Sequence, residues 1–522
     1  MDAAATVRAY HERTKHRLDK YAAGPGSLDW DAQPSPFRHW PGTEVVHLPR
    51  DPATPTVAWD ELPAERRAAP PTLANLSVLL RHAVAITAWK QYGEARWSLR
   101  AHPSSGNLHP TETWLFARGI DGLADGLYHY QPEDHSLERR ADFASGKASG
   151  EPGLWLGFSS IAWREAWKYG ERAFRYCQLD LGHVLGAVAC AAALLGWRPR
   201  LLAMAPESLD GRLGLDRAEE FAGVEREEAE AMLALFGAGE PPACTDWHGR
   251  PSLLDARPMY QWPVIDEVAA ATRGVLALPP DGQTAVDSAN VLSLARSAKA
   301  NLPEGMADAA AILLKRRSAQ AFDGHTVMPL TVFRRLLGAL LPGGSAALGP
   351  WPMPVRVHPV LLVHRVEGIA AGLYCLPRAE SGLTGLAKAM RGEFAWEPAD
   401  AALPLYQLIA AKAERTARTV SCHQDIASQC AFAVMFVAEF AAPIAETPAA
   451  WRHLHWEAGL LGHALTLAAE ADGWRGTGIG CFFDDADHEI LGLADDRYQV
   501  VYHFAVGTPV DDARLTTLPA YD

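Results

Sequence analysis

Eight residues, PSSGNLHP from Pro103 to Pro110, gather groups able to bind a ligand. Pro103 fixes its own backbone and biases His102 toward an extended shape. Ser104 and Ser105 carry adjacent hydroxyls that both donate and accept, and Asn107 adds an amide that does the same. Gly106 lets another group approach the backbone closely. Such a loop suits the edge of a flat heterocycle with alternating donors and acceptors, for example a flavin pyrimidine ring. An ordinary Pro-Ser-Gly turn between two elements accounts for the same residues. A second stretch, WREAWKYGERAFRY from Trp163 to Tyr176, mixes cations and aromatics densely. A third, GTGIGCF from Gly476, invites a dinucleotide reading, but Cys481 occupies the third glycine position and the run follows a helix instead of opening one. His109, His183 and His463 read as satisfied polar residues, and no carboxylate–histidine spacing forms a metal site.

The elements that must position these residues follow from periodicity. LANLSVLLRHAVAI sets Leu73, Leu76, Leu79, Leu80 and Val84 at helical spacing. Thr113–Phe116 reads as a strand after the loop, and GLYHY from Gly126 to Tyr130 as its hairpin partner. LDLGHVLGAVACAAALLGW is apolar on nearly every face, so it predicts a central buried helix, stopped at Gly196. Gly182 and Gly186 permit close packing against another helix. The short apolar runs Val184–Leu195 and Ala431–Val437 are read as buried helices, not membrane spans. The opening residues form a charged helix candidate without an apolar signal core.

The totals bound the function. The 522 residues exceed one compact core, so two or more domains are expected. A formal charge of -14 disfavours a nucleic-acid partner. Seven cysteines without a CxxC pair read as reduced thiols in a cytoplasmic protein.

The order then repeats. KRRSAQAFDG from Lys315 is a second basic opening. LTVFRRLLGALL is a helix, VRVHPVLLVH a strand, and GLYCL repeats GLYHY. WEAGLLGHALTLAAEADGW repeats the buried helix, with Gly462-His463 matching Gly182-His183 and Gly473-Trp474 matching Gly196-Trp197. Landmarks in one order, twice, indicate a tandem duplication at a spacing of roughly 250–300 residues. The expected organisation is a first domain over 1–245, a connecting segment over 246–303 and a second domain over 304–522. Two like domains in one chain suggest a covalently joined pseudo-dimer.

These residues resemble the nitroreductase-like flavoprotein superfamily, whose subunits interlock through long central helices and hold FMN at their interface. One subunit supplies an RRSxR-like opening and the other a PSSxNxQP-like loop. Here RRSAQ at Arg316–Gln320 and PSSGNLHP lie in different repeats. The resemblance therefore implies an α+β fold of two nitroreductase-like domains with one interdomain FMN. Arg316 and Arg317 are the implied phosphate ligands, since guanidinium forks match phosphate, with Ser318 as a hydroxyl ligand. Gln320 stands where the family usually has Arg or Lys. Pro103, Ser104, Ser105, Gly106 and Asn107 are the implied ring-side loop. Gly480 and Cys481 lie along the flavin in relatives, where a backbone N–H meets N5; a buried Gly-rich turn is the plain alternative. Arg514 matches a late phosphate-binding cation and reads equally as a surface charge. The mirror site would use GPWPMPVRVHP from Gly349 and ERTKHR from Glu12, which lack the signature residues.

KYGERAFRY further resembles the SagB/ThcOx-type dehydrogenases, some of which oxidise azolines in peptides to azoles. The resemblance implies acid–base roles for Lys168 and Tyr169, a base taking a proton while hydride leaves the neighbouring carbon. The alternative is Lys168 paired with Glu165 or Glu171 and Tyr169 packed in the core. The leading expectation is an FMN-dependent oxidoreductase acting on a small or peptide-derived substrate. An NAD(P)H-driven reductase of nitro, quinone or ene compounds and a non-catalytic flavin-binding scaffold stand beside it. Further association into a homodimer is compatible with the sequence, and no membrane partner is expected.

Overall fold

The structure is a computed structural model that describes residues 2–144, 151–278 and 307–521. Two antiparallel sheets and the helices between them form the body. The first sheet is built from β1 (Glu44–His47), β4 (Thr111–Arg118), β5 (Gly126–Gln131), β6 (Ser136–Phe143), β7 (Gly153–Ser160), β8 (Arg200–Leu201), β9 (Glu228–Phe236) and β10 (Cys244–Trp247). Its order is β1-β6-β5-β4-β7-β9-β8, with β10 also on β6. The second is built from β11 (Val357–Val363), β12 (Gly372–Cys375), β13 (Glu397–Pro398), β14 (Tyr406–Ala410), β15 (Phe432–Glu439), β16 (Arg475–Ile479) and β17 (Tyr498–Gly507). Its order is β13-β14-β12-β11-β15-β17-β16. Strands enter the two sheets in the same sequence: β6-β5-β4-β7-β9-β8 in one and β14-β12-β11-β15-β17-β16 in the other.

The expected hairpins form, with Trp114 opposite His129 and Val360 opposite Cys375. One element is corrected. Ala431–Val437 is not a helix; Phe432–Glu439 is strand β15, paired on both sides by β11 and β17. A central strand covered on both faces is apolar throughout, so the run carries no alternation to distinguish it from a buried helix. Strands β7, β9 and β17 also escape sequence reading. The expected connecting segment holds a short helix, Pro263–Ala271; its residues 279–303 lie outside the described residues.

Two long helices, Ala173–Leu194 and Ala450–Ala471, cross at the centre. Every residue of the first is buried, which is why it is apolar all round. The helical stretch Ala162–Leu194 is long and apolar enough to cross a membrane, but it is enclosed by protein. The crossing is set by glycine: a Cβ on Gly182 would lie 2.3 Å from the Trp456 carbonyl oxygen, and one on Gly459 would lie 2.2 Å from that of Leu179. Around the pair, Gly186 meets His463 and Gly462 meets His183.

A third sheet ties the chain's end to its first half. Strand β2 (Ile86–Tyr92) pairs β3 (Ala95–Arg100) on one side and β18 (Thr516–Leu518) on the other. Tyr521 anchors the strap, donating to the Pro132 carbonyl at 2.8 Å.

Candidate active site

The PSSGN loop is a tight turn between β3 and β4. Gly106, Asn107 and His109 all have positive φ, at 59°, 60° and 52°. The loop is wired to the first long helix. Ser104 Oγ donates to Asp180 Oδ2 at 2.5 Å, Ser105 Oγ donates to Oδ1 at 2.9 Å, and the Ser105 N–H donates to the same carboxyl. Asn107 Nδ2 donates to the Ser98 carbonyl at 2.8 Å, and its Oδ1 meets His109 Nε2 at 3.0 Å. The serine hydroxyls therefore fix the loop's shape and spend their donors on Asp180. Burial pushes the Asp180 carboxyl up to about 7, against the hydrogen bonds from both serines.

Lys168 and Tyr169 end the helix Ala162–Tyr169 directly over this loop. A Cβ on Gly106 would lie 2.6 Å from Tyr169 Oη and 3.2 Å from Lys168 Nζ. Only glycine tolerates both that φ and that approach. Burial lowers the Lys168 ammonium, with Glu165 acting in the opposite direction. Glu165 is itself buried, neither carboxylate oxygen has a partner among the described residues, and burial raises it well above the usual carboxylate range. Lys168 makes no ion pair among the described residues, and Glu171 instead binds Arg13. Burial likewise raises the Tyr169 phenol. Its ring meets Tyr176 edge-on at 4.6 Å between centroids, and Tyr176 Oη donates to the Gly480 carbonyl at 3.2 Å. Arg172 donates to the same carbonyl, so the Gly480–Cys481 peptide is held from two sides. A Cβ on Gly480 would lie 2.3 Å from the Tyr176 ring.

Across the opening lies the basic segment of the second half. Arg316 is buried; its Nε donates to the Ala101 carbonyl at 2.7 Å and its Nη2 to that of Arg100 at 3.0 Å. Its Nη1 is buried with no partner among the described residues. Burial depresses the guanidinium to about 9, and Arg317 adds to the effect. Arg317 caps local carbonyls and Thr87. Arg475 pairs with Asp511, and Lys90 donates to Thr517.

One cavity of about 630 Å³ joins these parts. Its wall includes Pro103 through Asn107, Tyr169, Arg316, Arg317, Ser318, Gln320, Gly480 and Cys481. Lys168 touches it through Gly106 and Tyr169 and is not itself in the wall. Arg514 stands apart: its side chain is 72% exposed and paired with Asp512, although Asp511, Asp512 and Leu515 reach the wall. The volume is that of a pocket for a cofactor-sized ligand. An orphaned, buried guanidinium N–H on Arg316, in one cavity wall with Arg317, Arg475 and Lys90, fits a phosphate-bearing group. The residues present therefore fit FMN. Sequence reasoning missed Asp180, Tyr176 and Arg475. Asp180 had a signal, as the lone acid in a fully buried helix. Arg475 had a weaker one, as the cation directly after the Gly473-Trp474 stop.

Comparison with known proteins bears on the fold and the family of its second half. Residues 313–508 match the nitroreductase family model. A provisionally named nitroreductase of Methanocaldococcus jannaschii is 31% identical over 137 residues, which cover 24% of this chain and 66% of that protein. The chain thus spans about two thirds of the length of that curated relative. The crystal structure of a provisionally named nitroreductase from Anabaena variabilis superposes with a TM-score of 0.67 at 22% identity, covering 97% of this chain and 99% of that one. The second half thus carries a nitroreductase family domain, and the whole chain shares its fold with the Anabaena protein.

Proposed function

We propose that the chain is an FMN-dependent oxidoreductase of the SagB-type branch, with one FMN in this cavity between two related halves. The observation that carries the reading is the convergence of Arg316–Gln320 from one half and Pro103–Asn107 from the other on a single cavity. The shared strand order and the reciprocal Gly–His contacts of the long helices support a tandem pseudo-dimer. The cations of ERTKHR support a single site, because Arg13 is spent on Glu171, and Lys15 and Arg17 on Glu12 and Asp485. FMN supplies two-electron hydride chemistry at its N5 when bound.

The chain's own residues do the rest. Arg316, Arg317, Arg475 and Lys90 share the cavity wall and would hold the phosphate of FMN. Asp180 holds the Ser104–Ser105 turn, and Tyr176 with Arg172 fixes the Gly480 carbonyl. Tyr169 Oη, in the cavity wall, meets the substrate at the carbon beside the one that loses hydride and relays its proton inward. Lys168 Nζ, lowered by burial and set behind Tyr169, receives that proton. The substrate is small or peptide-derived.

The family match also favours a second reading, an NAD(P)H-driven reductase of nitro, quinone or ene compounds. FMN-loaded protein is mixed anaerobically with NADPH and, separately, with an azoline-bearing peptide. Bleaching by the peptide supports the first reading and bleaching by NADPH the second. Lys168→Met should keep FMN and lose about 100- to 10,000-fold in turnover. Full turnover in that variant removes the base assignment.

A further inference from the structure

Two cysteines far apart in sequence meet at the cavity wall, and the proposed oxidoreductase reaction gives their side chains no part. The turn after β16 and the loop after the helix Glu414–Val420 are laced together. Phe483 N–H donates to the Val420 carbonyl at 2.7 Å, and Gln424 Nε2 donates to the carbonyls of Cys481 at 3.2 Å and Ser421 at 3.0 Å. This lacing sets Cys422 against Cys481, both half-buried and both in the wall. Cys422 and His423 adopt φ of 52° and 60° in succession. A left-handed conformation at a side chain other than glycine is strained, and such strain gathers where function holds it.

The surroundings divide the two thiols. The Cys422 thiol donates to the Cys481 sulfur, which lowers Cys481 to about 5, helped by His16 and Arg172 and opposed by burial. The same hydrogen bond keeps Cys422 protonated. His16 is fixed for its part: Nδ1 accepts from the Ala22 N–H at 2.9 Å, so the other nitrogen carries the proton that meets Cys481. Its backbone is clamped to Asp484 in both directions. One thiolate and one adjacent thiol is the arrangement that thiol–disulfide exchange requires. The remaining cysteines differ. Cys177, Cys190, Cys375 and Cys430 are buried, and burial raises each thiol, as it does that of Cys244.

We propose that Cys422 and Cys481 are a redox-active dithiol that reduces low-molecular-weight disulfides at the cavity wall. The Cys481 thiolate attacks one sulfur of the small disulfide, forming a mixed disulfide and releasing one thiolate. Cys422 then gives its proton to that departing thiolate and attacks the Cys481 sulfur. The Cys422–Cys481 bond forms as the second small thiolate leaves. Two protein thiols are oxidised and one disulfide is reduced to two thiols, so electrons and atoms balance without FMN.

The test uses the full chain as purified and oxidised glutathione as the probe. Thiol titration should fall from seven to five, with a Cys422–Cys481 cross-linked peptide in a non-reducing digest and no glutathione attached. Cys422→Ser should trap glutathione on Cys481, and Cys481→Ser should leave Cys422 unmodified. The pH dependence of exchange by the unaltered chain should place its midpoint well below that of an ordinary thiol. The proposal is overturned if all seven thiols survive while free cysteine in the same tube exchanges, or if glutathione ends on either residue of the unaltered chain without the cross-link. These readouts follow the native chain and do not depend on flavin content, so they stand or fall apart from the FMN reading.

Discussion

Gly106→Ala tests the link between the loop and the acid–base pair. The added Cβ would lie 2.6 Å from Tyr169 Oη, whereas ordinary contact begins near 3.4 Å. Tyr169 must therefore retreat by about 0.8 Å or the loop must shift by as much. Alanine at a φ of 59° also carries a backbone cost of about 1–2 kcal/mol. The loop is held by three hydrogen bonds to Asp180, so it resists movement and the tyrosine yields. A displacement near 1 Å of a positioned group costs on the order of 100-fold in rate. The Lys168 ammonium, 3.2 Å from the same Cβ, is displaced less. The assay is single-turnover reduction of FMN-loaded protein by substrate, beside FMN content and melting temperature. The expected result is near-normal flavin content, a melting temperature a few degrees lower and a rate about 100-fold down. A variant with unchanged rate would refute the geometry, because it would mean that neither Tyr169 nor Lys168 sits over Gly106 in the working protein.

Other perturbations separate the remaining parts. Arg316→Met removes the orphaned guanidinium and should weaken FMN about 10- to 100-fold, taking a charged hydrogen bond as about 1.5–3 kcal/mol, while riboflavin affinity, read by fluorescence quenching, changes little. Asp180 predicts a pH effect. Its folded value of about 7 lies above the ordinary 3.8, so the stabilisation it gives is complete below about pH 4 and is lost as pH rises toward 7. The loss is on the order of 4 kcal/mol at about 1.4 kcal/mol per tenfold. Asp180→Asn should flatten that part of the melting-temperature profile and exceed the parent above pH 7; parallel profiles would show that Asp180 is not buried as described.

The sequence made the two halves of the site legible because each lies in a short, ungapped signature with distinctive chemistry. Pro103–Asn107 and Arg316–Gln320 both reach the cavity wall, and Gly182 marks the helix crossing through its missing side chain. What stayed hidden depends on contacts between residues distant in sequence. Asp180 acts through serines that precede it by 76 and 75 residues, and Arg475 matters only because β16 brings it beside Arg316. Cys422 becomes notable only against Cys481. In the fold, the fully buried strands were the least readable: Phe432–Glu439 offers no alternation, so nothing local separates it from a helix. Arg514, matched to a motif and read equally as a surface charge, here turns to solvent and Asp512.

The most direct measurement is flavin released per chain. The protein is purified without added cofactor, its visible spectrum recorded, and FMN titrated into the flavin-free form. The account predicts one FMN per chain, bound more tightly than riboflavin and weakened by Arg316→Met. Two FMN per chain would mean that the Gly349–Pro359 side also binds and that the asymmetric reading is wrong. No flavin, even after incubation with FMN, would contradict the central claim that the cavity between the two signatures is a flavin site.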